Sequence, residues 1–89
     1  MRSKMIQRTL LALSDPTRRE ILRMLKKGNR TMSEIAERFD ISAPAISRHL
    51  SVLKDAELVS SRREGKFIYY SPCFDAIEEA RDWLKSFLE

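Results

Sequence analysis

Apolar residues recur three and four positions apart along most of this chain, and the recurrence breaks at a few polar or proline-containing points. Met5, Ile6, Thr9, Leu10 and Leu13 share one helical face, which predicts a first helix over residues 3–13. Ser14-Asp15-Pro16 stops it and starts another. Asp15 suits a cap, Pro16 suits the first turn, where its missing N–H costs nothing, and Gly28 suits a left-handed stop. A second helix is therefore expected over residues 16–27, with Ile21, Leu22 and Leu25 inward and Arg18, Arg19, Arg23, Lys26 and Lys27 over the remainder. Thr31 and Glu34 have the spacing of a capping box, which opens a third helix over Thr31–Phe39. Ser42 caps a fourth over Ser42–Ala56, with Pro44 in its first turn. Leu58-Val59 and Phe67-Ile68-Tyr69-Tyr70 are β-prone, and Glu64-Gly65 predicts the turn of a hairpin over Leu58–Ser71. Ser71-Pro72 leads into a last helix over residues 73–88, where Phe74, Ile77, Leu84, Phe87 and Leu88 repeat at helical intervals.

The expected order is α-α-α-α-β-β-α, mainly α with a small β-hairpin, in a single domain of 89 residues. A capped helix, a tight turn, a second capped helix and a charged hairpin make up a winged helix-turn-helix. Its second helix has the length and the polar face needed to enter a DNA major groove. On the fourth helix, Ile46, Leu50 and Leu53 fall on one arc, whereas Pro44, Ser47, Arg48, Ser51 and Asp55 fall opposite, with Ala43 and Lys54 at the flank. The exposed arc is small and polar at its start, so bases and backbone can approach closely. Ser47 can donate or accept at a base edge, Arg48 can fork onto guanine, and the methyl of Ala43 or Ala45 can meet a thymine methyl. Ser42 brings the helix amides toward a phosphate. His49 sits at the edge of the apolar arc, a packing position from which a phosphate or base is also within reach. Arg62, Arg63 and Lys66 surround the hairpin tip and suit phosphate or minor-groove contact. Arg18, Arg19 and Arg30 are further cations, open either to flanking phosphates or to solvent.

Charge sharpens this picture. Residues 1–30 carry nine Lys/Arg against two acids, residues 31–40 are net −2, residues 41–70 net +2 and residues 71–89 net −3, within an overall +4. A basic first half and an acidic terminal helix suggest one side facing a polyanion and another turned from it. No apolar run approaches the ~20 residues of a membrane span and no signal peptide heads the chain, so a cytoplasmic protein without membrane insertion is expected. One cysteine, Cys73, precludes an internal disulfide. There is no paired catalytic carboxylate, no Gly-rich phosphate loop and no activated nucleophile: Ser47 and His49 are two apart and face different ways. No enzyme, catalytic residue or cofactor is expected. The competing reading is a winged-helix module that binds protein and not DNA.

Three stretches also resemble a known family. Leu13-Ser14-Asp15-Pro16-Thr17-Arg18-Arg19-Glu20-Ile21-Leu22 resembles the second-helix signature of the ArsR/SmtB winged-helix repressors. Residues 42–59, with Ser42-Ala43-Pro44-Ala45-Ile46-Ser47-Arg48-His49-Leu50 at their head, look like its recognition helix and exit. Arg62-Arg63-Glu64-Gly65-Lys66-Phe67-Ile68-Tyr69-Tyr70 looks like its wing. The resemblance implies a homodimer built from the first and last helices. Met5, Ile6, Leu10, Phe74, Ile77, Leu84, Phe87 and Leu88 supply the apolar faces that such an interface would require, although core packing alone would also use them. It implies binding of double-stranded DNA at an inverted repeat, with repression relieved by a signal, whether an inducer or a sequestering protein. The family's metal-sensing cysteine pair is replaced here by Met32-Ser33-Glu34-Ile35-Ala36 on the third helix, and the acid-rich last helix has no histidine. With one His and one Cys in the chain, no metal site of the family's kind can be assembled. The chain thus looks like the metal-independent branch, which includes short autorepressors of the SdpR group.

Overall fold

The computed structural model describes residues 3–89. Helix α1 (Ser3–Leu13) ends at Ser14, whose N–H and hydroxyl both donate to the Leu11 carbonyl at 3.2 and 2.6 Å. Helix α2 (Pro16–Lys26) starts at once, because Pro16 holds Asp15 in an extended conformation and the Asp15 carboxylate accepts from the amides of Thr17 at 2.8 Å and Arg18 at 3.2 Å. A two-residue strand β1 (Arg30–Thr31) leads into α3 (Met32–Glu37), which carries the full capping box: Thr31 Oγ1 accepts from the Glu34 amide, and the Glu34 carboxylate accepts from the Thr31 amide. Helix α3 is shorter than its sequence pattern suggests, since Arg38 and Phe39 close it with tight backbone bonds to Ile35 and Ala36.

Helix α4 (Ala43–Asp55) follows, then strands β2 (Val59–Glu64) and β3 (Phe67–Pro72), and α5 (Asp75–Ser86) closes the chain. The sheet is antiparallel with order β1-β3-β2, so it has one short strand more than the hairpin predicted. Two residues show no periodicity of their own. Arg30 and Thr31 are recruited by the free edge of β3, opposite Tyr70 and Tyr69. The hairpin turn also sits one residue later than expected. Glu64 still pairs with Phe67, and Gly65-Lys66 form the two-residue loop, with Gly65 at φ +63° in the position where a primed turn requires it.

One aliphatic core, with Ile21, Leu25, Ile35, Ile46, Leu53 and Leu58 almost wholly buried, is shared by α2, α3, α4 and the start of the sheet. The exit from α4 has a consequence for stability. Glu57 N–H donates to Lys54 and Leu58 N–H to Leu53, while Leu53 and Leu58 are both buried. This is a Schellman stop, and its left-handed residue is Glu57 at φ +59°, where glycine would be unstrained.

Candidate nucleic-acid interface

The site is built on α4. Ser42 Oγ accepts from the Ala45 amide at 3.2 Å and so fixes the first turn, and Pro44 is accommodated there without losing a bond. Ile46 and Leu50 are 0% and 2% exposed, which locks the rotation of the helix about its axis. That orientation leaves Pro44, Ser47, Arg48 and Ser51 exposed, as the 100° projection requires; Ser42 and Ala43 at the helix start are exposed too, and Ala45 is half-buried. Among the described residues, no side chain is paired with Arg48. A fork of donors on a helix face of small residues, free of intramolecular partners, is suited to reading a base edge.

Wing cations differ from one another in a way their shared charge conceals. Arg62 Nε donates to the Glu64 carboxylate at 2.5 Å and its guanidinium lies 5.6 Å from the Tyr69 ring centre, so it has an acidic partner of its own although the pair is exposed. Arg63 makes only a long bond to the Gly65 carbonyl, 3.3 Å, and Lys66 rests 5.6 Å from the Phe67 ring centre. Among the described residues, neither of those two has an acidic partner. Lys54, near the end of α4, donates to Ser61 on β2 at 2.8 Å and ties α4 to the hairpin.

Other cations have intramolecular roles. Arg18 and Arg19 donate to main-chain carbonyls at the end of α1, and Arg30 donates to the Asn29 carbonyl. The half-buried His49 has its Nδ1 3.1 Å from Arg18 Nη1. Spacing along the chain contains no signal for that pair, since 31 residues separate its members. Burial pushes the Asp15 carboxyl up, but the amides of Arg18 and Thr17 outweigh it, aided by the charge of His49 when protonated and of Arg18. The net direction is down from the ordinary value. Glu34 is also held low, by the Thr31 amide above all.

A second surface lies on α1 and α5. Leu10, Phe74, Leu84, Phe87 and Leu88 are exposed, Phe87 by 70%, while Met5 and Ile77 are half-buried. Ile6, grouped with them by spacing, is 2% exposed, so its face of α1 is already used inside the chain, where α1 packs on α5. Leu11, which the spacing did not single out, is 65% exposed. Trp83 meets Phe87 edge-to-face at 4.9 Å between ring centres. Among the described residues no group of three His, Cys, Asp or Glu converges as metal ligands would, and no helix is long and apolar enough to cross a membrane.

Comparison with known proteins agrees with this geometry. Residues 15–61 match the family model described as bacterial regulatory protein, arsR family. The transcriptional repressor SdpR of Bacillus subtilis (strain 168) is 49% identical over 77 residues, spanning 86% of this chain and 86% of that protein. An ArsR family transcriptional regulator of known crystal structure superposes with a TM-score of 0.92 at 26% identity, covering 99% of this chain and 91% of the other. An ArsR-like transcriptional regulator from Rhodococcus sp. RHA1 gives 0.89 at 31% identity, over 94% and 77%. The chain belongs to the ArsR family of winged helix-turn-helix proteins: it is a DNA-binding transcriptional regulator.

Proposed function

We propose that the protein is a repressor that binds an inverted-repeat operator as a homodimer. The observation that carries this is the division of α4: Ile46 and Leu50 are sealed in the core while Ser47 and Arg48 stand exposed and unpartnered. Ala43, Ala45, Ser47 and Arg48 meet base edges, Ser51 extends the same face, and the start of α4 at Ser42 and Pro44 approaches a phosphate. Arg63 and Lys66 hold the backbone from the wing, with Arg62 behind them. Exposed apolar residues of α1 and α5 form the dimer surface, which places two copies of α4 about one helical turn, ~34 Å, apart on one face of the duplex. Repression itself is proposed by likeness to the B. subtilis repressor.

The test is a titration of a duplex that the protein selects from a random pool. Arg48→Ala should cost about 1–3 kcal/mol and relax preference at one base of each half-site. Arg63→Ala should weaken all sequences alike and flatten the salt dependence. An Arg48→Ala protein with undiminished sequence preference sinks the assignment.

A further inference from the structure

The last four carbonyls of an α-helix have no donors within the helix. In α1, three consecutive ones are met from α2. Arg18 Nη2 donates to Leu11 at 3.0 Å, Arg18 Nε to Ala12 at 2.7 Å and Arg19 Nη1 to Leu13 at 2.7 Å. Cations at that end also suit the helix dipole. Arg18 then uses its remaining nitrogen on α4, where Nη1 lies 3.1 Å from His49 Nδ1. A guanidinium has donors only and keeps its proton in proteins, so Nδ1 must be the acceptor and the imidazole proton sits on Nε2. One planar group therefore joins the end of α1 to the reading helix, at the residue following Arg48.

We propose that Arg18 is a positioning residue for DNA recognition, setting the attitude of α4 against α1 without itself touching DNA. The proposal rests on the reading of α4 as the base-reading helix. Its physical basis is directional. The buried face of α4 is aliphatic, and aliphatic contact is non-directional, so it tolerates small changes in tilt. A three-way guanidinium bridge does not, because its donors are fixed in one plane. Lysine has the same charge but a single nitrogen, and cannot reach Leu11, Ala12 and His49 together.

The experiment is a double-mutant cycle on the full chain, with a duplex selected by the wild-type protein and a random-sequence duplex as probes. Arg18→Lys and His49→Phe should each weaken the selected duplex by about three- to tenfold, and the double variant should lose no more than either single one. Affinity for the random duplex and its salt slope should stay unchanged. His49→Asn, which puts an oxygen acceptor where Nδ1 was, should retain wild-type affinity. Thermal melts verify that each variant is folded at the assay temperature, and His49→Phe against His49→Asn decides the matter if Arg18→Lys is not. Equal losses on both duplexes with a shallower salt slope would make Arg18 a phosphate contact and overturn the proposal. So would losses that multiply in the double variant, or affinities that do not move. A wild-type protein that selects no duplex would fail the base-reading assignment of α4 instead.

Discussion

Helices α4 and α5 are nearly equal in length, 13 and 12 residues, and both are amphipathic, yet the fold uses them in opposite ways. Helix α4 has a side-chain cap and buries Ile46, Leu50 and Leu53 completely. Helix α5 has no side-chain cap hydrogen bond, buries only Ala80 and leaves Leu84 and the adjoining Phe87 and Leu88 in solvent. The apolar face of one is consumed inside the chain, which frees its other face for a polar ligand. The apolar face of the other is left over as an exposed aromatic-aliphatic patch, and it is there that the proposed homodimer would form. Amphipathic pattern alone does not distinguish a helix whose apolar face is buried from one whose apolar face stays in solvent; the neighbours that cover it do.

The largest effect should come from breaking the buried side. Leu50→Ala removes a side chain 2% exposed at the centre of the α4 contact and should cost about 2–5 kcal/mol in urea unfolding. On α5, Phe87→Glu should change the unfolding of an isolated chain little but abolish self-association. Sedimentation would then show a monomer, and the melting temperature would lose its dependence on protein concentration. If Phe87→Glu leaves the oligomeric state intact, the docking role of α5 is wrong.

Acid should act on the caps. Asp15 and Glu34 have folded-state values depressed below their ordinary ones of about 3.9 and 4.3. Their contribution to stability is therefore complete above that range and is lost as pH falls through the depressed folded values. Asp15→Asn, which can still cap, should make stability fall less steeply with acid below about pH 4.5, as read from urea midpoints across a pH series. The smallest effect belongs to the exit of α4. Glu57→Gly relieves a left-handed non-glycine residue at φ +59° and should stabilise the protein by up to about 1 kcal/mol with DNA affinity unchanged.

Much of the candidate site's local geometry was legible because it is encoded locally. The capping box at Thr31 and Glu34, the Ser42 cap and the three-and-four spacing of Ile46, Leu50 and Leu53 each act within one turn, and all are present in the fold. What was not legible depends on distant partners. Strand β1 exists only because β3 has a free edge. Ile6 fits an interface stripe by spacing but is buried within the chain. Arg62 reads as a free wing cation, yet Glu64, two residues on along the same face of β2, and Tyr69, its register partner across the hairpin, claim it, and the second of these depends on a strand register that charge order does not express.

Sequence by itself determined where α2, α3 and α4 begin, which arc of α4 is polar and which cations crown the hairpin. These depend on caps, prolines and periodicity, interactions that span a few residues. Tertiary structure alone decided that Arg18 lies between the end of α1 and His49, and that α5 keeps its apolar residues in solvent while α4 does not. Those outcomes turn on which surfaces meet when elements dozens of residues apart pack together, and the spacing of residues along a chain carries no measure of that.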